Sequence, residues 1–183
     1  MLKNALLGFL NYSPMTGYAL KQQMDGSTSH FWHAKLSQIY STLKVLEEDG
    51  MISSIIEEQE TRPDRRVYSI TESGQQQLCV WLNEPLTETG STKSLLLLKL
   101  FFSAQLDKKA IVTQLRLQRQ LHEQGMIFYQ TETKALIAGI VKQHKGMKKD
   151  ALFWEATRRF GELCEETYVR WLDETIQIME EKL

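Results

Sequence analysis

The chain has few cysteines and no long apolar run. Its 183 residues include two cysteines, Cys79 and Cys164, which are far apart in sequence and each lie in an apolar stripe of helical spacing. Because free cysteine packs as a small hydrophobic residue, we expect both thiols to be buried and reduced, with a redox sensor as the alternative. No segment approaches the ~20 apolar residues of a membrane span, and the N-terminus lacks signal-peptide features. The sequence therefore predicts a cytoplasmic protein.

The motifs of common enzyme classes are also missing. The chain has no G-x-S-x-G, no phosphate-binding glycine loop and no H-E-x-x-H. His30 and His33 form an H-x-x-H pair, but no nearby cysteine or carboxylate completes a ligand set. We therefore expect no metal site, no cofactor and no enzymatic activity.

The segment from Leu36 to Gly50 has the pattern of an amphipathic helix. Its apolar side chains recur at helical spacing and are expected to form the core face: Leu36, Ile39, Tyr40, Leu43 and Leu46. Its polar side chains are expected to point outward: Ser37, Gln38, Ser41, Thr42 and Lys44. Gly50 can adopt the left-handed conformation that closes a helix C-terminus.

A β-hairpin with a cationic tip is expected after this helix. Residues 51–56 and 67–70 are rich in β-branched and aromatic side chains, which predicts two strands. Pro63 and Asp64 supply turn chemistry between them. Three arginines lie around that turn: Arg62, Arg65 and Arg66.

Three predicted helices precede the hairpin and another follows it. The first covers residues 3–10, the second is capped by Thr16, and the fourth begins near Thr71 or Ser73. Three helices, a hairpin and a further helix is the order of a winged helix. This order indicates duplex DNA as a partner.

The charge distribution is compatible with DNA binding, although the net charge alone does not indicate it. The formal net charge of the chain is -1, and residues 1–84 carry seven Lys and Arg against ten Asp and Glu, a net charge of -3. Six of these seven cations, however, fall on the second helix, the third helix or the hairpin tip. Segregated charge can still present a basic face. A winged-helix module that binds proteins instead of DNA is the alternative.

Candidate DNA contacts follow from this placement. A glutamine side chain both donates and accepts, as the major-groove edge of adenine requires, so Gln38 is the expected base reader. Tyr40 and the cations are better suited to phosphates. The predicted DNA-binding residues are Lys21, Lys35, Ser37, Gln38, Tyr40, Ser41, Thr42, Lys44, Arg62, Arg65 and Arg66.

Two tracts resemble a known family. Residues 40–50 (YSTLKVLEEDG) and 66–74 (RVYSITESG) are similar to the signature of PadR-type transcriptional regulators, which are winged-helix homodimers. Residues 94–102 (SLLLLKLFF) and the helices after them resemble the branch with a large C-terminal helical domain, the AphA-type virulence activators. Ser41 stands where many members have proline. The resemblance implies a homodimer that regulates transcription from a pseudo-palindromic operator, and we expect a repressor.

The fold class expected is mainly α with a small β-hairpin. A winged helix-turn-helix at 1–85 is followed by a linker at 86–92 and a helical dimerisation domain at 93–183; Pro85 directly precedes the linker and Gly90 lies within it. In the second domain we expect Asp107 to cap a long helix and Asp150 to cap the last one.

Aromatic side chains of the second domain suggest an interface. The predicted dimer contacts are Phe101, Phe160, Cys164, Tyr168 and Trp171. A small aromatic or apolar effector is an open possibility, with Phe101, Trp154 and Trp171 lining its pocket. The alternative is that these rings only fill the helical core.

Overall fold

The computed structural model describes residues 1–28, 31–58, 64–87 and 94–183. These residues form two compact units, Met1–Gly90 and Ser91–Leu183. The fold class is the expected one, because long helices dominate and a small antiparallel sheet lies in the first unit. Most of the predicted linker lies outside the described residues, so the exact domain bounds stay a prediction.

The first unit has the element order of a winged helix. Its helices are α1 (Leu2–Leu10), α2 (Gly17–Ser27), α3 (Leu36–Glu48) and α4 (Glu72–Asn83). Its strands are β1 (Met15–Thr16), β2 (Ile52–Glu57) and β3 (Arg65–Ile70), in the sheet order β1-β3-β2. The sequence predicted only the hairpin. The two-residue strand β1 is too short to show alternation, and it exists because Met15 pairs with Tyr68 and Thr16 with Val67.

Local signals in the sequence fix the element boundaries of this unit. The hydroxyl oxygen of Thr16 accepts from the Ala19 N–H at 3.1 Å, which caps α2 as predicted. Thr71 caps α4 in the same way, accepting from the Gly74 N–H at 3.2 Å. Gly50 follows α3 with φ +70°, a conformation that favours glycine.

The core of the first unit lies between α1, α2, α3 and the sheet. Its fully buried side chains are Leu6, Leu7, Leu20, Met24, Ile39, Leu43 and Leu46. The prediction that Leu36 and Tyr40 belong to this core was wrong, since they are 37% and 46% exposed. Leu36 is the first residue of α3, and Tyr40 lies on the flank of α3 that faces the start of α2.

The second unit is formed mainly by two long helices, with shorter helical segments before and between them. Its α-helices are α5 (Leu95–Phe101), α6 (Lys108–Phe128), α7 (Lys134–Gln143) and α8 (Lys148–Lys182), and a π-helical turn at Tyr129–Thr133 joins α6 to α7. Asp107 caps α6 as predicted, its carboxylate accepting from the Ala110 N–H at 2.8 Å. Asp150 does not cap the last helix, because α8 already begins at Lys148 and Asp150 lies in its first turn.

Helices α6 and α8 run antiparallel and share an apolar core. That core consists of Ile111, Val112, Leu115, Leu172 and Ile176.

The π-helical turn between α6 and α7 contacts a buried charged side chain of α8. The guanidinium of Arg158, which is 6% exposed, donates to the carbonyl oxygen of Tyr129 at 3.0 Å and to Glu162 at 2.9 Å. A carbonyl at a helix irregularity needs such a donor when it is buried.

The two thiols differ in exposure. Cys79 is exposed, so the expectation of two buried thiols was wrong for it, and Cys164 is half-buried. Cys79 lies on the outer side of α4, whose buried residues are Gly74 and Leu78. Among the helices that the structure describes, none has the length and apolar character to cross a membrane.

Candidate nucleic-acid interface

One face of α3 points away from the core of the first unit. Its buried side chains are Ile39, Leu43 and Leu46, and at 100° per residue the opposite side is the line of Ser37, Ser41, Lys44 and Glu48. All four of these residues are exposed. Three of them were predicted as DNA contacts, and Glu48 was not.

Gln38 and Thr42 lie to one side of that line and serve the helix itself. The side-chain oxygen Oε1 of Gln38 accepts from the backbone N–H of Lys35 at 2.9 Å, which satisfies a donor at the helix start. The hydroxyl of Thr42 donates to the carbonyl of Gln38 at 2.7 Å, and that of Ser41 donates to the same carbonyl at 3.0 Å. Sequence reasoning missed this role, although glutamine at the third helical position is a known capping signal.

Tyr40 lies on the other side of the line, against α2. A Cβ at Gly17 would stand 2.6 Å from the ring carbon Cε1 of Tyr40, so the two elements are in direct contact. Lys21, one turn further along α2, forms an ion pair with Asp25. Lys35 immediately precedes α3 and is exposed. The structure thus places Tyr40 and the start of α2 beside the outward face of α3.

The wing arginines Arg65 and Arg66 point to opposite sides of the hairpin. They are consecutive in β3, and successive side chains of a strand alternate between its faces. The guanidinium of Arg65 donates to Glu57, its directly paired neighbour on β2, at 2.6 Å. Arg66 reaches Glu47 in the last turn of α3, with Nη2 2.8 Å from Oε2. Arg62 lies outside the described residues.

Four of the predicted DNA-binding cations therefore have a carboxylate partner within the chain. The pairs are Lys21 with Asp25, Lys44 with Glu48, Arg65 with Glu57 and Arg66 with Glu47. The first two pairs have the i,i+4 spacing that a sequence can reveal. The last joins residues that are 19 apart in sequence and depends on how the hairpin packs on α3.

The predicted dimer residues of the second unit divide into two groups. Phe101 and Phe160 are 81% and 63% exposed. Tyr168 and Trp171 are instead half-buried within the chain, since Tyr168 stacks on His122 with ring centroids 4.3 Å apart and Trp171 packs on the α6–α8 core. Cys164 is half-buried as well. Their interface role stays a prediction.

The predicted effector residues do not share a cavity within one chain. Trp154 and Trp171 are 17 residues apart on α8, which corresponds to about 25 Å along the helix axis. A groove of about 740 Å³ lies elsewhere, beside α6 and α8, with charged and polar residues such as Arg159, Glu162 and Gln130 in its wall. A smaller groove of about 390 Å³ is lined by residues of α5, of α6 and of the connection between them, including Leu98, Phe102 and Leu106.

Two family models match this chain. Residues 6–79 match the transcriptional regulator PadR-like family, and residues 92–180 match the virulence activator alpha C-term domain. The probable transcriptional regulator Rv1176c of Mycobacterium tuberculosis is 30% identical to this chain, and the match covers 99% of the chain and 98% of that protein. The chain belongs to the PadR-like family of transcriptional regulators.

A second relative of the family has a known structure. The negative transcriptional regulator PadR of Bacillus subtilis is 28% identical, over 98% of each chain. Its crystal structure in complex with operator DNA aligns with a TM-score of 0.83 at 26% identity, covering 97% of both chains. A structure of the same protein in complex with p-coumaric acid aligns with a TM-score of 0.73 at 24% identity, covering 98% of both chains. The sequence resemblance to PadR-type regulators is confirmed.

Proposed function

We propose that this protein represses transcription by binding, as a homodimer, to a pseudo-palindromic operator. The observation that carries the proposal is the outward line of Ser37, Ser41 and Lys44 on α3, exposed beside the wing of a winged helix. Short hydroxyl side chains can approach base edges in a major groove, and the lysine can reach a phosphate. The negative regulator of Bacillus subtilis, which binds operator DNA, supports the repressor assignment.

The remaining predicted contacts surround this line. Tyr40 and Lys21 are placed for phosphates on the α2 side, and Lys35 for phosphates at the start of α3. Gln38 can offer a base only the amide Nε2 while its Oε1 caps the helix. On the wing, Arg62 and Arg65 are the proposed charge contacts.

The internal ion pairs do not prevent these contacts. The pairs Lys44–Glu48 and Arg65–Glu57 are exposed, and pairs of this kind contribute little net free energy because water solvates both charges well. Lys44 and Arg65 can therefore exchange a carboxylate for a phosphate. The neighbouring carboxylates also repel DNA, which lowers non-specific affinity and leaves a larger share of the binding energy to base contacts.

The proposed dimer interface lies on the outer side of α8. Phe153, Phe160 and Ile178 are exposed there, spaced so that they fall on one side of the helix and away from the face that packs on α6. Phe101 and its neighbours on α5 add exposed apolar area in the same unit. One winged unit makes few contacts, and a twofold pair doubles them on a palindromic site.

A small aromatic effector is the last part of the proposal. Bacillus subtilis PadR binds p-coumaric acid. In this chain the exposed ring of Phe101 and the half-buried rings of Trp154 and Trp171 offer stacking faces, and two subunits could bring them together although one chain does not. The proposed effector site can be tested by titrating the protein with phenolic acids. Tryptophan emission and operator affinity are the two quantities to measure. Quenching without a change in affinity would mean a pocket that does not regulate.

A transcriptional regulator acts on DNA, so the cytoplasmic location expected from the sequence is part of this proposal. The deciding experiment is recovery and sequencing of genomic fragments bound by the purified full chain, followed by affinity measurements at several salt concentrations. We expect a pseudo-palindromic sequence and an affinity that falls steeply with salt, because phosphate contacts release counterions. Failure to enrich any sequence would favour the alternative, a winged helix that binds a protein.

A further inference from the structure

The side chain of Arg66 is held by several partners at once. Its Nη2 donates to both carboxylate oxygens of Glu47, at 3.0 and 2.8 Å. Its Nε donates to the hydroxyl of Ser54 at 2.7 Å. The guanidinium carbon also lies 5.6 Å from the ring centroid of Tyr68, within the range of a cation–π contact.

These partners come from three different elements. Glu47 belongs to the last turn of α3, Ser54 to β2, and Tyr68 to β3. The hydroxyl of Ser54 also donates to Glu47, which closes the network. Tyr68 is part of the buried core, where burial raises the pKa of its hydroxyl while the charge of Arg66 opposes the rise. The network therefore anchors both strands of the wing, the β2–β3 hairpin, to the C-terminal end of α3, which is the proposed recognition helix.

The neighbouring pair, Arg65 with Glu57, is different in kind. Its two residues are directly opposite each other on β2 and β3, so the pair links the strands to one another and not to α3. Both side chains are exposed, and Arg65 can leave Glu57 at little cost.

Moving Arg66 onto a DNA phosphate would break the contacts that Arg66 makes to Glu47, Ser54 and Tyr68, and would leave only the hydrogen bond between Ser54 and Glu47. It would leave the carboxylate of Glu47, whose side chain is 28% exposed, without its cation and next to a second anion, and it would also remove the hydrogen bond to Ser54. We propose that Glu47 is a positioning residue, which through Arg66 fixes the angle between wing and recognition helix, and that Arg66 is not a phosphate ligand. The proposal rests on the DNA-binding function proposed above.

The test uses full-length protein and the duplex that wild-type protein recovers from its own genomic DNA. The variants are Glu47→Gln, Arg66→Gln and both together, with affinity measured over a range of salt concentrations. We expect each single change to weaken binding on the order of tenfold, and the double variant to bind about as well as the weaker single one, because both changes break the same contact. Glu72→Gln in the first turn of α4 is the matched control, since it removes an equal charge from an exposed position of the same unit; it should leave affinity unchanged.

The salt dependence separates positioning from phosphate contact. If Arg66 held a phosphate, Arg66→Gln would lower the slope of log affinity against log salt by about one. We expect that drop for Arg65→Gln and an unchanged slope for Arg66→Gln. Thermal unfolding of each variant establishes that it is folded, and Ser54→Ala offers a milder disruption of the same network should Glu47→Gln unfold the protein.

Two results would overturn the inference. Stronger binding by Glu47→Gln than by Glu72→Gln would mean that Glu47 only masks the charge of Arg66. A reduced slope for Arg66→Gln would make Arg66 a phosphate ligand. Both results require a duplex that wild-type protein binds, so they leave the proposed DNA-binding function standing, whereas recovery of no duplex contradicts that function itself.

Discussion

The ring of Tyr40 lies against Gly17, the first residue of α2, with no room for a Cβ between them. A methyl group built on Gly17 would be 2.6 Å from Cε1 and 2.9 Å from Cζ of that ring. These two residues are 23 apart in sequence, and their contact sets how closely α2 approaches the recognition helix.

Replacing Gly17 with alanine should therefore displace Tyr40 or separate the two helices. Tyr40 is partly exposed and can turn aside, so we expect the free energy of unfolding to fall by only about 1–2 kcal/mol, at the low end of overpacking costs. The loss of affinity for the recovered operator should be larger than this loss of stability. Gly26→Ala in the same helix, where nothing lies within 4 Å of the added carbon, is the control and should be neutral or stabilising by up to about 1 kcal/mol.

The double role of Gln38 can be separated by two substitutions. Gln38→Glu keeps an acceptor for the Lys35 N–H, whereas Gln38→Ala removes it and should cost about 0.5–2 kcal/mol of stability. If Nε2 also reads a base, both variants should lose preference for the operator over unrelated DNA. The ratio of the two affinities is the quantity to measure, because the added charge of glutamate weakens both alike. An unchanged ratio in both variants would limit Gln38 to capping.

The exposed side of α8 should form the dimer interface. A charge at Phe160, which is 63% exposed in one chain, would be buried without a partner in a dimer, so Phe160→Glu should weaken association by at least about 2 kcal/mol. Sedimentation velocity over a range of concentrations measures this. Glu166→Gln, an exposed change elsewhere on α8, is the control. A fragment ending at Glu84 should be monomeric, and a dimer of that fragment would assign the interface to the first unit.

The charge network at the π-helical turn should make the second unit sensitive to acid. The hydrogen bond from Arg159, assisted by those from Arg158 and Gln130, lowers the pKa of Glu162 from 4.5 to about 2. A carboxylate with a lowered pKa in the folded state stabilises that state above its unfolded pKa, so the contribution is lost as pH falls from about 4.5 to about 2. Glu162→Gln should flatten the dependence of unfolding free energy on pH in this window. Glu166→Gln should not.

The two cysteines should react at different rates with a thiol reagent. Cys79 is exposed on α4, whereas burial raises the pKa of Cys164 and disfavours its reactive thiolate. We expect one thiol per chain to react promptly in native protein, and the second after unfolding. Cys79→Ser should remove the fast phase, and its persistence in that variant would contradict the exposure difference.

The sequence alone determined the order of the four helices and the hairpin in the first unit, and its family, but not the short strand β1. Capping by Thr16 and Thr71 and the turn at Gly50 are local interactions, written within a few neighbouring residues. Such interactions join residues only a few positions apart, which is why the helix boundaries of a winged helix could be predicted from them. The recognition helix and its outward residues Ser41 and Lys44 followed from periodicity in the same way.

Tertiary structure decided what the charged and aromatic side chains do. Arg66 looked like a wing phosphate contact, and only the packing of the hairpin on α3 brings it to Glu47. Tyr168 was predicted together with Phe160 as a dimer contact, but Tyr168 stacks on His122 of α6 whereas Phe160 is exposed. Contacts between residues far apart in sequence depend on how whole elements pack, and periodicity within one element carries no information about which face its neighbour covers.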